Sequence, residues 1–341
     1  MSIVTIHKHE HSGLKHFVIW LTISCILGTI GFAASIKLGS SPIRWEDLWY
    51  GLIGAQETKE QLIVRTLRLP RALVAVMVGS SLAVAGVIMQ AVTRNPLASP
   101  QIFGVNSGAA LVVVASIVFI PSLTPSQLVI SAFLGAALGG WLVYTMASGG
   151  GKFTPVKLAL AGMTVSMLLS AVTEGLIVLH DQKTQNILFW MAGAVDGSDW
   201  NDVLLMLPWW LIGILGALLL SGSWNVLNMG DDVAQGLGLH IRYVRSAAGI
   251  LVILLAGASV SVAGPIGFVG LVVPHIVRAL VGTEHRFVIP LSALLGASLL
   301  LYADIGSRFI SYPFEAPVGI VTAAVGAPFF LYLVRKGRRS E

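Results

Sequence analysis

The sequence predicts an all-α, polytopic membrane protein, and three observations carry that expectation. Of the 341 residues, 55% are hydrophobic and only 11% charged, against about 25% charged in a typical soluble domain. Mean hydropathy is +0.84. Even large soluble domains bury only about three quarters of the surface that their chains expose, so no water-soluble core accommodates this much apolar surface. The apolar residues also fall into about ten stretches, most of them near the roughly 20 residues that cross a bilayer as a helix. A soluble enzyme, a nucleic-acid binder and a disordered tail are thereby excluded as descriptions of the whole chain. The net charge of +5 reads as a topology signal rather than as affinity for nucleic acid.

The first stretch, 17–36, continues past Cys25 with no small-residue cleavage site, which favours an uncleaved helix over a signal peptide. Thr22 stands where a lipoprotein box carries leucine. Cys25 is the single cysteine, so there is no internal disulfide and no cysteine-based metal site. His7, His9, His11 and His16 form a loose tract, read as part of a solvated tail over 1–16.

Stretches at 72–92, 106–120, 127–147 and 158–180 follow. Between the second and third, Asn95-Pro96-Leu97-Ala98-Ser99-Pro100 breaks the helix, because proline cannot continue the hydrogen-bond ladder. Gly135, Gly139 and Gly140 offer the fourth span a smooth surface for close helix packing. In the fifth, Glu174 is a costly intramembrane acid expected to face a chamber or to pair across the bundle. Thr164, Ser166, Ser170 and Thr173 share that helix and either line a pathway or bond back to their own backbone. The loop 148–157 contains GGGKF, which fails as a phosphate loop: Met146 and Phe153 stand where the pattern needs glycine and a hydroxyl residue.

The remaining stretches are 203–221, 246–264, 266–280, 288–303 and 317–334. The third, eighth and ninth are short and are expected to be tilted, broken or partly spanning. Gly264, Gly267 and Gly270 recur every third residue and suggest a second smooth stripe. Between the sixth and seventh spans lies a polar segment, 222–245. Its Val233, Leu237, Ile241 and Val244 fall on one helical face, while Gly236 and Gly238 argue for helix–turn–helix over one helix. Asp231 and Asp232 stand at its start, where the helix dipole favours acids. Such a ridge either rests on headgroups or docks a soluble partner. Pro274-His275 and Arg278 end the eighth span. No second ligand stands at metal spacing beside His275, which reads as a structural histidine.

An even number of spans puts both termini on one side. With the termini inside, 13 of the 21 basic residues lie in inner segments and 8 in outer ones, which favours that orientation. Six of the eight cluster in the outer loop 37–71: Lys37, Arg44, Lys59, Arg65, Arg68 and Arg71. The chain reads as a single transmembrane domain over 1–341. An ion-coupled secondary transporter would want midplane acids and broken helices in two repeats, whereas Glu174 stands alone. A membrane-embedded enzyme finds no HExxH, GxSxG or paired intramembrane acids.

Several long motifs then occur in order: RLPRALVAVMVGSSLAVAGVIMQAVTRNPLASPQIFGVNSGA over 68–110, GDDVAQGLG over 230–238, GPIGFVGLVVPHIVR over 264–278, GTEHR over 282–286, ADIGSR over 303–308 and PVGIVTAAVGAPFFLYLV over 317–334. From about residue 60 onward the chain resembles the FecCD-like permease subunits of bacterial ABC importers for iron–siderophores, haem and vitamin B12, which have the type II importer fold. The resemblance implies ten helices in the cytoplasmic (inner) membrane with both termini cytoplasmic. It implies a second permease subunit, identical or similar, two cytoplasmic ATP-binding subunits and an extracytoplasmic substrate-binding protein. The chain itself would be neither enzyme nor cofactor carrier. Its expected cargo is a ferric siderophore, with haem and cobalamin as alternatives.

Residue by residue, the resemblance assigns Asp231, Asp232, Ala234, Gly236 and Gly238 to coupling with the ATPase, Asp232 either pairing with a basic residue there or capping its helix. It assigns Arg68, Arg71 and Arg308 to docking of the binding protein, with helix anchoring at headgroups as the alternative and Arg44 and Arg65 as weaker candidates. Asp304 is expected to order the structure near Arg308. Asn95, Pro96 and Pro100, and Pro274, His275 and Arg278, match structural motifs, the first set with a possible share in gating or ATPase contact. Relatives place small hydroxyl residues at the inner gate, which nominates Thr154.

Overall fold

The structure, a computed structural model, describes residues 3–39, 43–54, 58–120, 122–149, 154–180, 184–310 and 314–337. Lys152, Lys183, Arg338 and Arg339, which belong to the inner and outer basic residues counted above, and most of the GGGKF sequence, 150–153, lie outside the described residues. So do the side chains of His7, Lys8, His9, His11 and Lys336.

No strand occurs among the described residues. Helix α1 runs over Ile3–Lys37, so the expected tail is helical from residue 3 and continuous with the first span. The expected outer loop is also folded. It holds α2 (Trp45–Ile53) and α3 (Lys59–Ile63), and α3 runs through a π-helical turn, Val64–Arg68, straight into α4 (Leu69–Thr93). Arg94 closes α4 in the left-handed region at φ +50°. Asn95 then accepts the Leu97 N–H on its side chain, and Pro100–Phe103 forms a 3-10 turn leading into α5 (Val105–Phe119). The NPLASP break is therefore built from an Asx turn and a proline-started turn, as its residue types dictate.

Helix α6 (Pro125–Ser148) opens on a Thr124–Gln127 capping box, and α7 (Pro155–Leu179) opens on Thr154. Helices α8 (Thr184–Met191) and α9 (Trp200–Leu219) follow, the latter capped by Asp199 and Asp202. Then come α10 (Ser221–Asn228), α11 (Asp231–Gly236), α12 (Ile241–Ala263), α13 (Val269–Val281), α14 (His285–Ile310) and α15 (Val318–Gly337). Seven helices among the described residues are long and apolar enough to cross a bilayer, and α5, α13 and α15 are shorter apolar helices. The ninth stretch, expected to be short, is the 26-residue α14. Its polar ends hid its length, because Asp304 and Arg308 find partners inside the protein.

Phe17 of α1 lies beside Phe287 of α14, with ring centroids 4.6 Å apart, and Phe329 of α15 meets His275 of α13 edge-on at 6.0 Å. The start of α1 and the later part of α15 thus lie at one end of the bundle with the α13–α14 turn.

Helix α4 is the hub. In its apolar window 89% of residues are buried, against 11% in α1 and 22% in α7. It packs most extensively on α14, and also on α12, α13 and α9. The approaches are backbone to backbone: a Cβ at Gly79 would lie 2.3 Å from the Gly296 carbonyl, and one at Gly86 1.9 Å from that of Gly270. Gly108 meets Gly135 and Gly139 in the same way between α5 and α6, while Gly140 faces Ile253 of α12. Gly264 and Gly267 do not form a helical stripe with Gly270. They lie in a non-helical segment before α13, where Gly264 has φ +66°. Helix α13, 13 residues long, reaches only about 20 Å, less than the hydrocarbon thickness of about 30 Å. Broken backbone of this kind survives in a membrane only when protein surrounds it. Here the Ala194 N–H donates to Ala263 and the Gly319 N–H to Gly193, at 2.8 and 2.9 Å.

Replacing Gly86 with valine is expected to abolish the folded, monodisperse protein in detergent, as read by size-exclusion chromatography. Gly175→Val on α7, where a Cβ meets nothing within 4 Å, leaves the profile unchanged.

Candidate functional site

The chemistry-bearing residues gather at the two ends of the bundle. At one end, α1 finishes with unsatisfied carbonyls, as every helix does. Arg68 Nη1 donates to the Ile36 and Lys37 carbonyls at 2.9 and 2.6 Å. Arg308 Nη1 donates to those of Ser35 and Leu38 at 2.7 and 2.6 Å, and its Nη2 reaches Ser35 Oγ at 2.9 Å. Two guanidinium groups from α14 and the α4 approach therefore cap the last turn of α1, where the helix dipole favours cations. Arg308 also pairs with Asp304 one turn earlier.

Arg71 completes the cluster. Its Nε and Nη2 donate to Asp304 Oδ1 at 3.0 and 2.7 Å, and its Nη1 to Glu315 Oε2 at 2.5 Å. The Asp304 side chain is fully buried, whereas that of Glu315 is 30% exposed. Asp304 thus holds two arginines, which is the ordering role expected of it. Nearby, burial pushes the Asp196 carboxyl above the ordinary carboxylate range, against the opposing pull of Arg71. The three arginines expected to face a partner are thus brought together, but their donors point inward. Arg68 and Arg308 are buried, and only Arg71 and Glu315 approach the surface. Sequence spacing gave no sign of this, because the capped carbonyls lie 31 to 273 residues away.

At the other end, Asp231 accepts from Arg245 Nη2 at 3.0 and 3.1 Å and also pairs with Arg94 at the foot of α4. Neither arginine was singled out from sequence. Asp231 is therefore a tie fastening α11 to α4 and α12. Asp232 is exposed in the first turn, and the N-cap position belongs to Gly230 with no side-chain cap bond, which removes the capping alternative for Asp232. Ala234 is fully buried. Gly238, at φ +80°, makes the turn after α11, while a Cβ at Gly236 would meet nothing within 4 Å. The helix–turn–helix is present, but its ridge divides. Ile241 and Val244 are buried in the core, while Val233 and Leu237 are exposed, as are Met229 and Tyr243. Asn225 of α10 accepts the His285 N–H at 3.0 Å and lies 2.6 Å from its Nδ1, fastening this end to α14 as well.

The remaining residues have local roles. Arg278 bonds Gln90, whose amide donates to the Gly270 carbonyl at 3.3 Å. Pro274 is buried within α13, and His275 packs on Phe329. Thr154 is the N-cap of α7, accepting the Lys157 N–H at 3.3 Å. Thr164 and Thr173 donate to the carbonyls four residues back. Ser166 and Ser170 are half-buried, and Glu174 is exposed on the same helix. No cluster of three metal-ligating side chains occurs among the described residues.

Comparison with known proteins decides the family. The model of the FecCD transport family matches residues 26–336. The chain belongs to the FecCD transport family. It is 54% identical over 331 residues to the Fe(3+)-citrate import system permease protein YfmD of Bacillus subtilis (strain 168), covering 97% of each chain. It is 38% identical to the cobalamin import system permease protein BtuC of Halobacterium salinarum, over 97% of this chain and 84% of that one. Among solved structures, a metal-chelate type ABC transporter in an inward-facing conformation aligns with a TM-score of 0.81 at 33% identity, covering 93% of this chain and 98% of that one. This FecCD-family permease is accordingly an all-helical, multi-pass membrane protein, as its sequence predicts.

Asp304→Asn leaves the buried Arg308 without its carboxylate and Arg71 with Glu315 alone, and is expected to cost about 3–5 kcal/mol of stability. Glu315→Gln, at a partly exposed pair, costs about 1 kcal/mol or less. Thermal unfolding in detergent separates the two.

Proposed function

We propose that this chain is the permease subunit of an ATP-driven importer in the bacterial cytoplasmic membrane, moving a ferric chelate of the citrate or siderophore class. Two permease subunits, identical or similar, enclose the pathway, two cytoplasmic ATP-binding subunits drive it, and an extracytoplasmic binding protein delivers the cargo. The exposed side chains of Val233 and Leu237, in one short segment with the exposed Asp232 and Gly236, are the observation that carries this reading. They lie beyond the spans, in and just after α11, which Asp231 ties to Arg94 and Arg245. Such a segment suits a groove in a soluble motor, and the open space at Gly236 admits close backbone approach. An ATPase that grips it differently in its open and closed states shifts the permease between outward and inward access. Both termini share this end and lie in the cytoplasm.

The opposite end receives the binding protein. Arg71 and Glu315 reach the surface there, with Arg68 and Arg308 setting the frame beneath them. Helix α7 presents Glu174 to the conduit, because an intramembrane acid is retained where it meets a cavity or a partner. Thr164, Ser166 and Ser170 share the helix, and Thr154 marks the inner mouth. The citrate and cobalamin permeases among its relatives give one family several cargoes, and the higher identity to the ferric-citrate permease favours the iron chelate.

Val233→Asp combined with Leu237→Asp is expected to abolish co-purification of the ATPase and ATP-dependent uptake, with thermal stability unchanged. Uptake that persists without an ATPase, driven by an ion gradient, would overturn the reading in favour of a secondary transporter. In cells lacking the chain, restoring it is expected to recover uptake of labelled ferric citrate or ferric siderophore; recovery of haem or cobalamin uptake alone would reassign the cargo.

A further inference from the structure

The segment between α1 and α4 carries a surface that nothing above uses. In α2, Trp45, Trp49 and Ile53 recur every four residues and are 65%, 63% and 62% exposed, with Tyr50 also exposed alongside. The roll of this helix is fixed by its opposite side. Leu48 packs against the cluster that contains Ile36, Ile43 and Val64. Gly51 lies against Val64, where a Cβ would come within 3.0 Å. Asp47 accepts from Thr58 Oγ1 and Gln61 Nε2, both at 3.4 Å. The two tryptophans therefore face outward as a consequence of packing.

We propose that α2 is an interfacial helix, with its Trp45–Trp49–Ile53 face seated in the phospholipid headgroup region at the Arg68 end of the bundle. Three observations support this occupant. The first is depth. The apolar stretch of α1, 17–36, has 20 residues and spans about 30 Å at 1.5 Å per residue, which matches about 30 Å of hydrocarbon. Lys37 therefore emerges at headgroup level. Its Nζ lies 3.4 Å from the centroid of the Trp45 ring, which brings that ring to the same level.

The second is continuity. Ile19, Ile23, Ile26 and Ile30 are exposed along α1, so the apolar surface bearing on the bilayer leads up to the end from which α2 follows. The third is chemistry. Tryptophan and tyrosine favour the membrane interface, and a lysine stem snorkels there with its charge toward water. A short helix with one aromatic-apolar face and one face packed on protein lies in the interface rather than across it. The inference rests on the chain's being a membrane protein and not on its cargo or its motor.

The test uses the full-length chain in phospholipid nanodiscs, with no binding protein or ATPase present. In a Cys25→Ser background, Ile53→Cys and Lys59→Cys are each labelled with an environment-sensitive fluorophore. At position 53 the emission is expected to shift to the blue, with quenching by doxyl-labelled lipid several-fold stronger than by aqueous iodide. At position 59 iodide is expected to dominate. Tyr50→Cys gives the same reading as position 53 should Ile53→Cys misfold. Iodide quenching at 53 and 50 equal to that at 59, without doxyl quenching, overturns the proposal. Iodide protection that appears at 53 only after a binding protein is added would also overturn it, assigning the face to a protein partner.

Discussion

A helix enclosed on every side by other helices in a membrane has to be smooth, and most of this architecture follows from α4 meeting that requirement. Lipid tails are as apolar as leucine, so helices there associate through close packing rather than through exclusion of water. Gly79 and Gly86 let α14 and α13 approach to backbone contact. Around that contact α9 and α12 complete the enclosure, and the more exposed helices, α1 and α7 among them, form the periphery. The same close packing surrounds the broken lead-in of α13, where the Ala263 carbonyl accepts from Ala194 and Gly264 lies against the backbone of Trp190 and Gly193.

The polar residues then sort to the two ends of this hub. Helix α4 is fastened at both: Arg71 joins it to Asp304 of α14, and Arg94 joins it to Asp231 of α11. Helix α14 is fastened at both as well, through Asp304 and Arg308 at one end and through His285 to Asn225 at the other. Two closely packed helices thus carry charged or polar ties at each end. A displacement of α10 and α11 bears directly on the pair that also carries the arginine cluster.

Much of this was legible in the sequence because its causes are local. Apolar run length set most of the spans, Gly236 and Gly238 divided the polar segment, and two prolines with Asn95 made the break after α4. What was not legible depends on distant partners. The ninth stretch appeared short because Asp304 and Arg308 look like span boundaries until their ion pair is known. Arg68 and Arg308 looked like surface residues for the same reason, since the carbonyls they cap belong to α1. The glycines at 264 and 267 have helical spacing, but the chain there is not helical: Gly264 lies against the Gly193 segment and Gly267 against the Gln101 side chain. The stripe of Trp45, Trp49 and Ile53 has a period of four, but nine residues of helix between basic, polar flanks carry too short a pattern to stand out from a loop.

The capping of α1 by Arg308 also sets an order of events during synthesis. Ser35 precedes the arginine that binds its carbonyl by 273 residues. At about 5–20 residues per second, the Ser35 and Leu38 carbonyls wait on the order of 15–50 s before Arg308 exists, whereas Arg68 follows Ile36 and Lys37 by 32 and 31 residues and arrives within seconds. During the interval water at the interface serves the two open carbonyls. The end of this helix is therefore clasped in two stages, half of it early and half among the last contacts to form.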